Sequence, residues 1–321
     1  MKTAVILPAY NEEITIVGTI EGFHQAMPDA EIWVIDNNSK DKTSALANAT
    51  LRELGCAGGV LVERRQGKAN AVRKAFAMID ADVYLMADAD MTYPPEQAAE
   101  LIAPILDGSA EMVVGDRLSQ GDYDEENSRP LHGFGNKLMR ALINVFFNAK
   151  LTDILSGYRA FSKRFVKTYP MLIEGFELET DLTLHSLVHR LSIVEVPVRY
   201  KDRPENSFSK LSTFWDGTAV LFFLLQIIRY HRPLLFFGTA GSTLAILGLV
   251  TSIPVLQDWF KYQYIHHVPL AVLSAAIEIC AIIVLLVGVM LDSISHFNKH
   301  RFELLLLAHE KKPTYTKPEE K

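Results

Sequence analysis

The sequence predicts an α/β protein: a mainly parallel sheet covered by helices, then an interfacial helix and two transmembrane helices. Three observations lead there. Short apolar runs alternate with helical patterns over the first two thirds of the 321 residues, as in a parallel sheet with helical crossovers. Nearly every run ends in a polar cluster, at the strand ends where such sheets bind ligands. The last third holds two apolar stretches roughly long enough to span a bilayer.

The strands are read at TAVILP (3–8), EIWVID (31–36), GVLVE (59–63), DVYLMA (82–87), EMVVG (111–115) and IVEVPVRY (193–200). Between them, EEITIVGTIEGFHQAM (12–27) has acids in its first turn, which suits the helix dipole. KTSALANATLREL (42–54) follows a Ser/Asp turn, and KANAVRKAFAMID (68–80) and PEQAAELIAPIL (95–106) complete the helical set. The clusters at the strand exits are PAYNEE, DNNSKDKT, ERRQGK, DADMTYPPE and GDRLSQGD.

Leu234–Leu256 carries no charge, and Pro269–Leu291 carries only Glu278. Both read as transmembrane helices with interfacial aromatics beside them. Arg229, Arg232, Lys299, Arg301, Lys311 and Lys312 flank the outer ends, against Lys261 alone in the connecting loop. The positive-inside rule then puts both termini in the cytoplasm, with a multi-pass anchor in the cell (inner) membrane. The stretch before the first span is apolar but broken by Asp216, Gln226 and Arg229, which suits a helix lying on the membrane surface. The expected division is 1–212 catalytic domain, 213–232 interfacial helix, 233–292 transmembrane hairpin and 293–321 cytoplasmic tail. The N-terminal apolar run is too short for a signal peptide, so the first domain is expected to stay in the cytoplasm.

Composition excludes some classes. A net charge of −6 argues against a general nucleic-acid binder. Cys56 and Cys280 lie far apart and form neither a metal-ligand nor a redox spacing.

The strand exits carry the chemistry. Asp88 and Asp90 follow an apolar strand one residue apart, so their carboxylates can share a face. Two like charges there are costly unless a cation or proton compensates. Mg²⁺ and Mn²⁺ prefer carboxylate, phosphate and water oxygens, so a metal–diphosphate site fits. Asp36 and Asn37 fit either of two readings: groups that read a nucleobase edge, or an Asx-rich turn into a helix N-cap. Lys68, at a helix start, serves equally as a phosphate contact or as part of a solvated basic turn. Tyr10 could stack on a flat ring, or sit in a common turn.

The ordered segments AVILPAYNEE, VIDNNSKDKT, QGKANAV, MADADMTYPPE, VVGDR, DILSGYRAFSKR and VEVPVRYKDRPENSFSKL resemble glycosyltransferase family 2. The resemblance is nearest to its polyprenyl-phosphate glycosyltransferases, spans roughly residues 1–215, and extends to the two-helix anchor that follows. It implies a GT-A (Rossmann-like) domain that transfers a sugar from a UDP-sugar to a polyprenyl monophosphate, with Mg²⁺ or Mn²⁺, at the bilayer. It also implies a homo-oligomer, such as a tetramer. In that family Pro8, Tyr10, Glu12, Asp36 and Asn37 would hold the nucleoside, and Lys68 would lie near the donor. Asp88 would approach the donor diphosphate, and Asp90 would ligate the metal. Asp153 would lie close to the reacting centre. Arg117, Arg203 and Lys210 would meet the phosphates, with Arg129 and His132 the candidates for the place of a second phosphate-binding arginine.

The chain departs from the family pattern in places. Thr92 stands where relatives often carry a metal-assisting glutamine, which leaves a weaker or water-mediated ligand. Asn37 replaces a frequent aspartate, and Gly133 sits where an arginine is expected. Glu177, Glu179 and Asp181 resemble acids that act as base in members with hydroxyl acceptors. They are assigned here to sugar hydroxyls, against the plain alternative of an acid-rich helix start. With Asp181 or Glu179 as base, a lipid or glycan hydroxyl acceptor is the alternative activity; a catalytically silent membrane subunit is the third. QIIRY (226–230) echoes the Q-x-x-R-W of processive polysaccharide synthases. Glu278, inside a span, is expected to reach Ser242, Thr243 or a neighbouring protomer.

Overall fold

The structure is a computed structural model that describes residues 1–119, 130–170, 178–200, 225, 228–230 and 232–309. It contains two compact units, Met1–Phe214 with Leu305–Lys321, and Trp215–Leu304.

The first unit is built on a sheet of seven described strands. These are β1 (Thr3–Ala9), β2 (Glu31–Asp36), β3 (Gly58–Val62), β4 (Val83–Met86), β5 (Met112–Asp116), β6 (Arg159–Ser162) and β7 (Ile193–Pro197). Their spatial order is β3-β2-β1-β4-β6-β5-β7. All neighbours run parallel except β6, which is antiparallel to both β4 and β5. The sequence reading anticipated the other six strands and missed β6. RAFS is four residues long, opens on an arginine and lacks a sustained alternation, so periodicity could not find it.

Helices α1 (Ile16–Ala26), α2 (Thr43–Glu53), α3 (Lys68–Met78) and α4 (Ala98–Leu106) fall on the anticipated segments. Helices α5 (Pro130–Phe147), α6 (Lys163–Thr168) and α7 (Leu178–Val188) lie in the stretch where no element was assigned, apart from the acid-rich helix start around 177–181. Ala4, Val5, Ile6 and Leu7 of β1 are fully buried in succession, so both faces of this interior strand are covered. That is why these strands read as continuous apolar runs instead of alternating ones. The parallel strands point their carboxyl ends to one edge of the sheet. The antiparallel β6 enters the sheet at that same edge and brings the preceding loop, 153–157, with it.

The second unit contains α8 (Pro233–Tyr262) and, as far as Leu304, α9 (Val268–His309). Both are long and apolar enough to cross a membrane, and each is mostly unburied along its apolar stretch. At ~1.5 Å per residue, the 42 residues of α9 extend about 63 Å, well beyond a ~30 Å hydrocarbon core. Glycines bring the two helices together: a Cβ at Gly241 would lie 2.7 Å from Leu285 Cγ, and one at Gly288 would lie 2.9 Å from Phe237 Cβ. Small residues at the crossing allow this approach. Asp258 accepts from the backbone N–H groups of His266 (2.8 Å) and His267 (3.1 Å) and contacts His267 Nδ1 at 2.7 Å, which closes the turn between the helices.

Glu278 does not reach Ser242 or Thr243. Its carboxylate lies against Gly248, where a Cβ would come within 2.6 Å of Oε1. The Ser274 hydroxyl meets that of Thr251 one turn away, at 3.1 Å.

Candidate active site

The turn after β4 carries Asp88-Ala89-Asp90 and is anchored from outside its own strand. Ala89 O accepts from the Thr15 hydroxyl (2.8 Å) and the Thr19 hydroxyl (3.2 Å), both on the α1 side. Gly18 seats Met91, and Gly22 seats Pro95: a Cβ at either position would meet those side chains at 3.0 Å. Thr15, Gly18, Thr19 and Gly22 follow the i, i+3, i+4, i+7 spacing of one helix face. A face of small residues therefore carries the acidic turn, which itself bends through a left-handed Met91 at φ 62°. Asp90 is 3% exposed, and its Oδ1 accepts from the Thr92 hydroxyl at 2.6 Å and the Thr92 N–H at 3.2 Å. Thr92 thus orients Asp90.

Asp88 points to a different partner. Its Oδ1 lies 2.5 Å from Lys68 Nζ, and the same ammonium donates to Glu179 Oε1 at 2.7 Å. Lys68 opens α3 directly after Gly67, whose φ of 121° favours glycine. Gly157 leaves the pair room, since a Cβ there would lie 2.9 Å from both Asp88 Oδ2 and Lys68 Nζ. Burial alone lowers the Lys68 pKa, but Asp88 and Glu179 outweigh it and hold the ammonium well above its ordinary value. Lys68 is therefore a permanent cation within the acidic cluster.

Beside this lies a second pair. Arg117 follows β5 and binds Asp153 in a fork, Nε to Oδ2 at 2.7 Å and Nη2 to Oδ1 at 3.1 Å, with its own N–H on Oδ2 at 3.2 Å. The two residues are 8% and 3% exposed. Burial raises the Asp153 pKa, but the Arg117 guanidinium lowers it further, so the carboxyl titrates below its ordinary value. The Arg117 guanidinium also sits 5.5 Å from the centre of the Tyr200 ring. Glu195 of β7 accepts from the N–H groups of Thr152 and Asp153, and burial pushes its own pKa up.

The loop that carries Asp153 and Gly157 is held by residues that sequence reasoning passed over. Arg159 is fully buried and donates to the carbonyls of Ile154 and Ser156 (both 2.8 Å) and to the Thr183 hydroxyl (3.0 Å) of α7. Burial lowers its pKa. The Tyr93 hydroxyl accepts from Gly157 N–H at 2.9 Å, and its ring stacks on Tyr158 at 5.0 Å.

At the other end of the edge the β1 and β2 exits interlock. Asn11 N–H donates to Ser39 Oγ (2.9 Å), and Asn11 Oδ1 accepts from Lys40 N–H (2.7 Å). Glu12 N–H donates to the Thr43 hydroxyl at 2.7 Å, while the Glu12 carboxylate accepts from the Thr15 hydroxyl at 2.9 Å. Asp36 ends β2 with its Oδ1 on Ser39 N–H, 3.1 Å away. Pro8 pairs with Ile35 across the strands, and Tyr10 follows the end of β1, half-buried. Asn37 is 3% exposed and shapes the next loop: Nδ2 donates to Arg65 O (2.7 Å), and Oδ1 accepts from Gly67 N–H (2.7 Å). Its amide thus positions Gly67 and, through it, Lys68.

Asp181 is hydrogen-bonded to the Tyr169 hydroxyl, and burial raises its pKa. Arg129, Glu177, Arg203 and Lys210 lie outside the described residues. Among the described residues, no three His, Cys, Asp or Glu side chains converge to hold a metal by themselves. Asp90 and Asp88 still present the hard oxygens that Mg²⁺ or Mn²⁺ accepts when substrate phosphates and water complete the shell.

Comparison with known proteins agrees with this architecture. Residues 4–169 match the model for "Glycosyl transferase family 2". The glycosyltransferase AglJ of Haloferax volcanii is 29% identical over 305 residues, 93% of this chain and 95% of its own. The polyprenol monophosphomannose synthase of Mycolicibacterium smegmatis is 29% identical over 66% of this chain and 81% of its own. Among solved structures, glucosyl-3-phosphoglycerate synthase of Mycobacterium tuberculosis, in complex with Mn²⁺ and UDP-glucose, shares the fold. Its TM-score is 0.51 at 22% identity, over 71% of this chain and 78% of that one. The seven-stranded, mostly parallel sheet is thus of the GT-A kind, and the chain is a transferase that belongs to glycosyltransferase family 2.

Proposed function

We propose that this protein transfers a sugar from a UDP-sugar to a polyprenyl monophosphate, undecaprenyl or dolichyl, with inversion at the sugar C1. The observation that carries this reading is the ion pairing of Lys68 with Asp88 and Glu179, and of Arg117 with Asp153, near the strand exits that also carry Asp90, in a chain that holds two helices of spanning length. The names of the relatives support the acceptor, and the Mn²⁺–UDP-glucose complex of the structural neighbour supports the donor and the metal.

A phosphate monoester is mostly dianionic at neutral pH, with a second pKa of ~6, so it attacks without a strong base. The task left to the protein is to bring two anions together. Asp90, with Asp88, would hold the cation that offsets charge on the leaving diphosphate. Lys68 and Arg117 add fixed positive charge, and Arg203, Lys210 and Arg129 are assigned to the same work. Pro8, Tyr10, Glu12 and Asp36 would frame the nucleoside, with Asn37 supporting the neighbouring turn. Glu177 and Glu179 would contact sugar hydroxyls, and Asp153 would fix Arg117 beside the reacting centre. Residues 1–212 would form the cytoplasmic catalytic domain, 213–232 an interfacial helix, 233–292 a transmembrane hairpin and 293–321 a cytoplasmic tail. Copies of the chain would associate in the inner membrane.

A nucleotide screen by thermal shift tests the donor half, because a bound ligand raises apparent stability. UDP is expected to raise Tm only with Mg²⁺ or Mn²⁺, and Asp90→Ala to abolish that rise. A larger shift with GDP would reassign the nucleoside. An equal shift in chelator would remove the metal from the account. A nucleotide shift with donor hydrolysis and transfer absent under all conditions would favour a catalytically silent membrane subunit that binds sugar nucleotide.

A further inference from the structure

Two carboxylates one residue apart demand a cation, and this chain already brings one. Lys68 Nζ bridges Asp88 Oδ1 at 2.5 Å and Glu179 Oε1 at 2.7 Å, and Glu179 lies 111 positions beyond Lys68 in the chain. The contact is built for: Asn37 fixes Gly67 just before Lys68, and Gly157 omits the one atom that would displace the pair. Asp90, in contrast, is oriented by Thr92.

We propose that Lys68 is a resident counter-cation of the acidic turn, occupying Asp88 until donor arrives, with Glu179 its second carboxylate partner and part of the negative charge that draws the metal. The inference rests on the metal-dependent reading above. Three carboxylates, Asp88, Asp90 and Glu179, stand against one ammonium, which leaves a double negative charge that one divalent cation balances. A diphosphate brings further negative charge and draws the ammonium from Asp88 toward its oxygens. The flexible lysine stem permits this swing, which a rigid, forked arginine would resist. Lys68 therefore weakens metal binding in the empty enzyme and strengthens nucleotide binding in the loaded one, so that metal and donor bind together.

The test titrates Mn²⁺ alone, without nucleotide, into the detergent-solubilised full chain and follows free Mn²⁺ by EPR. Lys68→Met removes the competing cation, so Mn²⁺ is expected to bind about tenfold tighter or more, by Coulomb attraction to the extra net charge. UDP binding at saturating Mn²⁺ is expected to weaken in the same variant. Glu179→Gln removes one negative charge and is expected to weaken Mn²⁺ about threefold to tenfold. An Mn²⁺ affinity unchanged or weakened in Lys68→Met would overturn the assignment. If Lys68→Met does not fold, Lys68→Gln is titrated in its place, and Mn²⁺ binding unchanged or weakened there would overturn the assignment. Wild-type protein that binds no Mn²⁺ with or without UDP would refute the metal-dependent reading itself, and this inference with it. Wild-type binding that Lys68→Met leaves unaltered would refute the counter-cation role alone.

Discussion

Replacing Asp153 by asparagine probes the best-defined ion pair of the site. The carboxylate is 3% exposed and takes two bonds from the Arg117 side chain, at 2.7 and 3.1 Å. Asparagine keeps the shape and removes the charge, so Arg117 is left buried without its counter-ion. Breaking one side of such a pair costs about 3–5 kcal/mol. For a unit of this size each kcal/mol lowers Tm by about 2–4 °C, so Asp153→Asn is expected to melt about 6–20 °C lower. Arg117→Met should fall in the same range. The double variant Arg117→Met/Asp153→Leu should cost less than the sum of the two, because it strands no charge. The effect depends on pH in a definite direction. The folded pKa of Asp153 is lowered, so the contribution of the pair is complete above the unfolded carboxyl value of ~3.9 and is lost as pH falls through the lower folded value. The gap between wild type and Asp153→Asn should therefore close in acid. Thermal unfolding of the full chain in detergent at several pH values measures it. An Asp153→Asn variant that melts within about 2 °C of wild type, or a gap that stays constant in acid, would refute the reasoning.

Other expectations follow from the same geometry. Thr15→Val with Thr19→Val strips both donors from Ala89 O and should raise the metal concentration needed for half activity, with Thr15→Ser restoring it; unchanged metal activation would count against the anchoring of the turn. Gly157→Ala places a Cβ 2.9 Å from Asp88 and Lys68, so transfer should fall steeply while circular dichroism stays that of wild type. Asn37→Ala frees the turn before Lys68 and should cost about 1–3 kcal/mol in a melt, the penalty for leaving buried polar groups unpaired. Gly248→Leu drives a side chain into Glu278, so the α8–α9 hairpin should become protease-sensitive in liposomes, and a wild-type digestion pattern would contradict the close approach.

Much of the site was legible because it sits where apolar runs give way to polar clusters. Asp88, Asp90, Lys68 and Arg117 all follow or flank a strand exit, and topology alone brings those exits to one edge. What escaped depends on contacts between distant segments. Nothing local pairs Lys68 with Glu179. The Thr15-Gly18-Thr19-Gly22 face was readable as a stripe of small residues, but the carbonyl it serves lies 70 or more positions away. Arg159 reads as a surface arginine until the structure buries it completely, since that residue type is rarely fully buried unpaired. Thr92 stood out as a departure from relatives, and only the geometry shows its hydroxyl on Asp90. Asn37 suggested a base reader or a turn, and in the structure its amide holds backbone.

The most direct test of the proposed activity is transfer itself. Purified full-length protein is incubated with radiolabelled UDP-sugars, Mg²⁺ or Mn²⁺, and either undecaprenyl phosphate or undecaprenol. The account predicts metal-dependent label on undecaprenyl phosphate alone, lost in Asp90→Ala. Label on the alcohol and none on the phosphate would contradict it and make Glu179 or Asp181 an obligatory base.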